Sequence, residues 1–513
     1  LQSLQITRQL CEQYNTAELQ KHLSLCYGKV GYISKAEGKL AEAKDYCLQS
    51  LKLRRQLCDE TGDVKAQQSL SIGYQHLGDI CLSEHRLSEA KEYYLHALEI
   101  DRRLCEEIGT VETRNSFLIS CNNLGDISRA EGNLSEAKQY CLQGLEISRQ
   151  LCEETGTIQA RRDLAISYDF LGDISSTEGR LSEAKGYYLQ GLELHRQLSE
   201  ETSTVQARRD QAISYDRLAA ISRTEGKLDE AGSCCLQSLE LRKQLYEETD
   251  TLQAQWDLAA SYDRLADISR TEGKSNEVKN CRLQSLELRR QLYEKTGTPE
   301  AQSNLAASCI VLGNISESEG NLAEAKDYYL QGLKLSQQLY EETGSPKAQS
   351  NLTVCYEQLL NILLAEGKSD ETKSYCLQGL KLFQQLYEKT GSQQAQSDLA
   401  VCYIVLGNIS ENEGEAPEAK RYYLQGSRLS RQLYMATGNM QTWRNLCYCY
   451  QNLEHIYQME GNPDEAECYR QKCVRCEQAG SIDTPWGRAA SYYSLSLISK
   501  MEGDLTEAAD CCR

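Results

Sequence analysis

A single period of 47 residues runs through the chain and constrains its fold more than any other feature. The stretches SYDRLAAISRTEGK (214–227) and SYDRLADISRTEGK (261–274) lie one period apart and differ only at Ala220 and Asp267. A Glu-Gly turn recurs at this spacing, with His85 in place of the second glycine: Gly38, His85, Gly132, Gly179, Gly226, Gly273, Gly320, Gly367, Gly414 and Gly461. Self-similarity at a fixed period of roughly 20 to 50 residues is typical of repeat arrays. The sequence therefore predicts one solenoid and not several globular domains.

Each repeat is predicted to contain two α-helices. In residues 157–203 the apolar residues recur at helical spacing, with no alternation of period two. Each first helix is preceded by a residue that can cap a helix N-terminus, as Thr157 is, and Pro299 and Pro346 directly follow two of these caps. The second helix is expected to open at Ser88, Ser135 and their equivalents. One such hairpin is too small to bury enough apolar surface alone, so the repeats must stack on one another.

Repeat boundaries follow from these caps. Residues 1–15 align with 48–62 and are predicted to be the end of a second helix. Residues 16–480 are predicted to form ten repeats, the last one shortened, and residues 481–513 a final repeat truncated in its second helix. Because neither end shows the polar capping helix that a free-standing solenoid needs, the chain is expected to be a piece of a longer protein.

Composition excludes several function classes. The net charge of −19 and the pI near 5.0 make binding to nucleic-acid phosphates unfavourable. No apolar run approaches 18 residues and no signal peptide is visible. The chain is therefore predicted to be cytoplasmic, without a nucleic-acid partner and without a membrane partner.

The 23 cysteines are predicted to be packing thiols. One position of the second helix carries Cys58, Cys105 and Cys152 in early repeats but Tyr246 and Tyr293 in later ones, as expected of a residue that fills space. A cluster in CYRQKCVRC leaves a zinc site open as an alternative, with these residues as candidates: Cys468, Cys473, Cys476 and His455. We predict no cofactor, no bound metal and no catalytic residue, because no phosphate loop, HExxH motif or nucleophile elbow is present.

The repeats resemble the tetratricopeptide family. In SYDFLGDISSTEGRLSEAKGYYLQGLEL the matching residues are Tyr168, Leu171, Gly172, Gly179, Ala184, Tyr188 and Gly191. The period of 47 instead of 34 residues, and the missing proline at the end of the second helix, are similar to long-helix variants such as kinesin light chain and the arrays of bacterial signalling proteins. The resemblance implies an all-α fold: a right-handed superhelical α-solenoid of about eleven helix-turn-helix repeats, with the first helices lining a concave groove.

Positions −6, +1, +5 and +8 from Tyr168 share one face of the first helix, and by the resemblance this face lines the groove. In the fourth to sixth repeats it is charged, and the predicted ligand-binding residues there are Arg162, Asp169, Asp173, Arg209, Asp216, Arg223, Trp256, Asp263, Asp267 and Arg270. In the seventh to ninth repeats the predicted residues are Ile310, Asn314, Asn361, Leu364, Ile404 and Asn408. The resemblance implies that these asparagines hold a peptide backbone. The alternative is that the Asp and Asn side chains only bond to adjacent helices.

Two functions remain open. The chain is predicted to be a non-catalytic scaffold that binds a protein or peptide segment in the groove. The alternative is the sensor arm of a larger bacterial effector, a nucleotide-switch or caspase-like protein, whose enzymatic domain lies outside these residues. In that case the partners include the protein's own upstream effector domain.

Overall fold

The structure is a computed structural model that describes residues 2–478 together with 495, 497 and 498. This part of the chain contains 21 α-helices and no β-strand. The helices are α1 (Gln2–Tyr14), α2 (Ala17–Ala36), α3 (Leu40–Thr61), α4 (Val64–Ser83), α5 (Leu87–Ile108), α6 (Val111–Ala130), α7 (Leu134–Thr155), α8 (Ile158–Thr177), α9 (Leu181–Thr202), α10 (Val205–Thr224), α11 (Leu228–Thr249), α12 (Leu252–Thr271), α13 (Ser275–Thr296), α14 (Pro299–Ser318), α15 (Leu322–Thr343), α16 (Pro346–Ala365), α17 (Ser369–Thr390), α18 (Gln393–Asn412), α19 (Ala416–Thr437), α20 (Met440–Met459) and α21 (Pro463–Gln478). The predicted final repeat, 481–513, lies almost wholly outside the described residues.

The chain divides into two compact units, Leu1–Cys281 and Arg282–Arg513, with the boundary inside α13. In the first unit each helix from α2 to α11 packs against the helices before and after it, and α2, α4, α6 and α8 also contact one another in turn. In the second unit the helices from α14 to α21 pack against their neighbours in the same way, and α14 also contacts α16 and α18 contacts α20. The predicted all-α solenoid of helix-turn-helix repeats is confirmed.

Polar side chains start the first helices as the sequence predicts. Thr157 Oγ1 accepts a 3.2 Å hydrogen bond from the backbone N–H of Ala160, which satisfies one of the N–H groups that a helix start leaves free. The second helices begin one residue earlier than expected, at Leu87 and Leu134 instead of Ser88 and Ser135. The residue after the Glu-Gly turn therefore takes the capping position, and Asn133 there accepts from Glu136 N–H at 3.4 Å.

In most repeats a small residue on the first helix packs against a larger one on the second helix, and Leu360 with Cys376 reverses the two sizes. The ring of Tyr188 lies against Gly172, and Cys141 lies against Gly125. The same two positions hold these pairs in other repeats: Gly31 and Cys47, Gly78 and Tyr94, Ala219 and Cys235, Gly313 and Tyr329, Leu360 and Cys376, Gly407 and Tyr423. Where the second helix carries tyrosine, the first carries glycine in every one of these pairs, so the two positions share one volume.

Lysines of the second helices join neighbouring repeats. Lys91 Nζ lies 2.8 Å from Glu131 and 2.7 Å from Glu136 of the next repeat. Equivalent links are Lys44 with Glu84 and Glu89, Lys138 with Glu178 and Glu183, Lys185 with Glu225 and Glu230, Lys326 with Glu371, Lys373 with Glu413, and Lys420 with Glu460. Single ion pairs of this exposure contribute about 1 kcal/mol or less, but the links fix how one repeat is placed on the next.

Candidate functional site

Two of the charged residues predicted for the fourth repeat make contacts within their own repeat and with the next repeat. Asp169 is 6% exposed; its Oδ2 lies 3.3 Å from His195 Nε2 and 2.7 Å from Arg217 Nη1. Asp173 accepts a 2.7 Å hydrogen bond from the Tyr188 hydroxyl, and Arg217 Nε lies 3.2 Å from it. Since Arg217 belongs to the next repeat, these predicted ligand residues hold neighbouring repeats together.

A second acid–cation cluster occupies the equivalent place one repeat later. Asp216 Oδ2 lies 2.7 Å from Arg242 Nη2 and 3.1 Å from Arg264 Nη1. Arg242 is 4% exposed. Burial lowers the pKa of its guanidinium, and the negative charge of Asp216 acts in the opposite direction and raises it. The carboxylate is therefore the counter-ion of a buried cation.

Two further predicted arginines pair with the following repeat through aspartates that the sequence analysis did not single out. Arg162 lies 3.1 Å from Asp210, and Arg209 lies 3.0 Å from Asp257. Both arginine side chains keep about one third of their surface exposed. These pairs are the same contact made one period apart.

The remaining predicted residues of this face are more accessible. Arg223 is exposed, and Trp256, Asp263 and Asp267 are half-buried. Arg270 lies 3.7 Å from Asp267 and keeps 74% of its side chain exposed. Arg223 and Arg270 are therefore open to a partner in solution.

The asparagines predicted in the later repeats differ from one another. Asn314 and Asn408 accept hydrogen bonds of 2.6 and 2.7 Å from the hydroxyls of Tyr329 and Tyr423 in their own repeats. Asn361 is exposed, and its amide is 3.5 Å from the Gln358 side chain. Ile310 and Ile404 are buried, whereas Leu364 is 46% exposed. Whether these residues bind a ligand stays a prediction.

A groove between α2 and α4 was missed by the sequence analysis. It has a volume of about 620 Å³. It is lined by Lys21, Leu25, Gly28, Lys29, Tyr32, Ile33, Arg54, Lys65, Gln68, Ser69, Ile72 and His76. Three of these residues, Lys21, Gly28 and Tyr32, occupy in the first repeat the face positions that were compared only in later repeats. Reading the same face from the first repeat onward would have found the groove.

The groove is basic and apolar, in a chain with an overall charge of −19. Its lining residues include four lysine or arginine side chains and no carboxylate. Leu25, Ile33 and Ile72 are 41%, 55% and 42% exposed, although apolar side chains of this size are usually buried. The groove therefore offers apolar surface next to positive charge.

Arg54 forms the floor of the groove. It is 4% exposed, its Nε donates to Ser50 Oγ at 3.1 Å, and its Nη1 donates to the Ser69 carbonyl at 2.6 Å. Burial lowers the pKa of the guanidinium. His76 lies beside it, and burial together with the Arg54 charge lowers the pKa of the imidazole. His76 is therefore neutral near pH 7.

The candidate metal ligands do not form a cluster. Within residues 2–478, 495, 497 and 498, no three His, Cys, Asp or Glu side chains are arranged to hold a metal ion. Cys473 and Cys476 are buried in an apolar cluster with Trp443 and Leu446, and His455 Nδ1 lies 2.9 Å from Glu411. Among the same described residues no helix is long and apolar enough to cross a membrane.

Solved structures with a similar arrangement of helices share little sequence with the chain. BtubC (BKLC) from P. vanneervenii is 18% identical, with a TM-score of 0.40 over 49% of this chain and 92% of that one. The apo form of RapI is 12% identical, with a TM-score of 0.44 over 80% and 98%. The apo quorum sensor NprR from B. thuringiensis is 16% identical, with a TM-score of 0.37 over 77% and 99%. At these values the similarity carries no functional argument.

Comparison with sequence families is more informative, although no curated protein matches the chain. One model described as tetratricopeptide repeat matches residues 25–57, 73–103 and 306–339, and a second with the same description matches 118–155. All four segments begin at the same place in the 47-residue period, to within one residue, and each covers parts of a first and a second helix. These four segments of the chain therefore match the tetratricopeptide-repeat family.

Proposed function

We propose that the chain is a non-catalytic scaffold that binds a segment of a partner polypeptide along its first helices, with the groove between α2 and α4 as the principal site. The observation that carries this proposal is the lining of that groove. Exposed apolar side chains lie next to lysine and arginine side chains in this groove, and none of its lining residues carries a carboxylate. The chain as a whole is acidic. This lining suits a segment that combines apolar and acidic residues.

The size of the groove also supports a polypeptide partner. Its volume of about 620 Å³ falls within the range of roughly 300 to 1,000 Å³ that ligand sites occupy. Covering Leu25, Ile33 and Ile72 would remove apolar surface from water, which is favourable by about 25 cal/mol for each Å². Lys21 and Lys29 are exposed beside them and would attract an acidic segment before contact.

Each of the two units has further candidate contact residues in its later repeats. Arg223, Arg270, Asn361 and Leu364 are exposed and are available to a partner without loss of an internal bond that the fold needs. Asp169 differs from them, because a ligand there would have to replace its contacts with Arg217 and His195. In the later repeats we therefore expect a partner to contact the exposed residues Arg223, Arg270, Asn361 and Leu364 before it contacts Asp169.

A peptide selection tests the proposal. Random twelve-residue peptides displayed on phage are selected on the full chain, and the enriched peptides are measured by fluorescence anisotropy. Ile72→Glu, which puts a carboxylate into the groove, is expected to weaken binding at least tenfold. Leu236→Glu is the matched control, since Leu236 is 52% exposed on the second helix α11. Equal weakening by the two variants, or none by Ile72→Glu, would show that the groove is not the site.

A further inference from the structure

One position of the first helix carries an acid in four repeats, at Asp169, Asp216, Asp263 and Glu357, and carries Gly28 in the first repeat. Asp169 and Asp216 stand three and four periods after Gly28. Each of these aspartates lies between two cationic or ionisable side chains, one from the second helix of its own repeat and one from the first helix of the next. For Asp216 these are Arg242 at 2.7 Å and Arg264 at 3.1 Å.

The first repeat keeps the basic partners and lacks the acid. Arg54 stands at the position of Arg242, and His76 at the position of Arg264. A Cβ placed on Gly28 would lie 3.4 Å from Arg54 Nη2 and 4.0 Å from His76 Nδ1. Two nitrogen atoms therefore converge on the space that an aspartate side chain fills in the later repeats.

The charge of Arg54 has no counter-ion among the described residues. Its hydrogen bonds go to Ser50 Oγ and to the Ser69 carbonyl, both uncharged. The nearest acids in the lining of a smaller adjoining cavity are Glu18 and Asp63, and neither lies within ion-pair distance of Arg54. Asp63 Oδ1 instead accepts from Ala66 N–H at the start of α4. Because a buried charge without a partner is unfavourable, an anion bound here would be stabilised.

We propose that the space beside Gly28 is a carboxylate site, in which Arg54 Nη2 and His76 Nδ1 hold an Asp or Glu side chain, or the C-terminal carboxylate, of the bound polypeptide segment. This inference rests on the proposed function, because the site opens into the same groove. A carboxylate is the group that fits the space, since Asp216 places one there four repeats later. The apolar walls formed by Leu25 and Ile72 favour a carboxylate carried by a polypeptide over a free ion.

The pKa of the His76 imidazole is a direct measure of whether a carboxylate occupies the site beside Gly28. The charged groups that act on it are Arg54 from α3, Lys35 from α2 and Asp79 from its own helix α4. A carboxylate within about 4 to 6 Å favours the protonated imidazole. Occupancy should therefore raise the pKa of His76, and binding should tighten as the pH falls through that raised value.

Acetate is the probe for the first experiment. The C2 carbon signal of His76 is followed by NMR in the full chain labelled at histidine, with His76→Asn used for assignment, as acetate is added at constant ionic strength. Acetate is expected to raise the pKa of His76 by about one pH unit. Gly28→Asp should raise it without acetate and abolish the acetate response, because the new carboxylate takes the site. An unchanged pKa in the wild-type chain, or an equal response to chloride or inorganic phosphate, overturns the carboxylate assignment.

Peptides separate this inference from the proposed function. In the peptides selected on the full chain, each acid is replaced in turn by its amide. One replacement is expected to weaken binding about tenfold to the wild-type chain and not to Gly28→Asp. If Ile72→Glu abolishes binding while every amide peptide binds as well as its parent, the groove function stands and the carboxylate site is wrong. If Ile72→Glu has no effect, the groove function itself is wrong.

Discussion

The ring of Tyr188 occupies the space that a side chain at Gly172 would need. A Cβ added to Gly172 would overlap Cε1 of Tyr188, so one of the two side chains would have to move. The hydroxyl of the same tyrosine donates to Asp173, the residue next to the glycine. The side chain of Tyr188 therefore makes the packing contact with Gly172 and the polar contact with Asp173, which are consecutive residues of α8.

Gly172→Ala is expected to destabilise the chain by about 1 to 3 kcal/mol through overpacking. Gly186→Ala in α9 is the matched control: a Cβ there meets nothing within 4 Å, so this change should be neutral or stabilise by about 0.5 to 1 kcal/mol. Tyr188→Cys added to Gly172→Ala should recover part of the loss, since Ala219 and Cys235 already pair in this way. Urea denaturation followed by circular dichroism measures all three. Equal effects of the two alanines would contradict the packing argument.

Asp216→Ala is expected to destabilise the chain by about 3 kcal/mol, because it leaves Arg242 buried without its counter-ion. Asp216→Ala with Arg242→Met should recover most of this loss, since an apolar side chain then replaces the unpaired charge. Thermal and chemical denaturation of both variants provide the measurement. A double variant no more stable than Asp216→Ala would mean that the charge of Arg242 is satisfied in another way.

Asp398 should make stability depend on pH. Burial raises the pKa of this carboxyl from 3.8 to about 6, although it accepts hydrogen bonds from Thr353 and Gln394. Folding therefore favours the protonated form. The contribution of Asp398 to the free energy of unfolding is complete below about pH 4 and is lost as the pH rises through 6. The stability of the wild-type chain relative to Asp398→Asn should fall by at most ~3 kcal/mol between pH 4 and pH 7. Denaturation at several pH values tests this, and a constant difference would contradict it.

Cys141 and Cys376 should resist alkylation in the folded chain. Burial raises the pKa of each thiol to about 12, so the reactive thiolate is scarce at pH 8. Mass spectrometry after brief treatment with iodoacetamide should find both unmodified, and both modified once the chain is unfolded. The partly exposed Cys447 is the internal control. Alkylation of Cys141 as fast as that of Cys447 would contradict the burial of Cys141 in the structure.

The sequence predicted the helices well because their signals are local. Thr157 caps α8, and apolar spacing and the Glu-Gly turns separate the two helices of each repeat. The start of the second helix was placed one residue late, because the turn itself puts Asn133 and its equivalents in the capping position. The packing role of the thiols agrees with the pairing of Cys141 with Gly125.

The site was harder to predict because its meaning depends on contacts between repeats. Asp169 and Asp216 were predicted as charged residues of the groove face, but the sequence did not show that Arg217 and Arg242 neutralise them. Gly28 alone does not indicate a binding site. It becomes informative only when Arg54 and His76 are known to face it, and these residues lie 26 and 48 positions further along the chain.

The lysine–glutamate links described above recur one period apart from Lys44 to Lys185, whereas Gly232 stands at the lysine position of the fifth repeat. The segments 214–227 and 261–274 are nearly identical, so recombination between the parts of the gene that encode them would delete 47 residues without shifting the helical register. Lys185 would then face Glu272 and Glu277 in place of Glu225 and Glu230, and the junction would keep the same residue types. Such a gene can lengthen or shorten its product by whole repeats while every remaining junction keeps its partners.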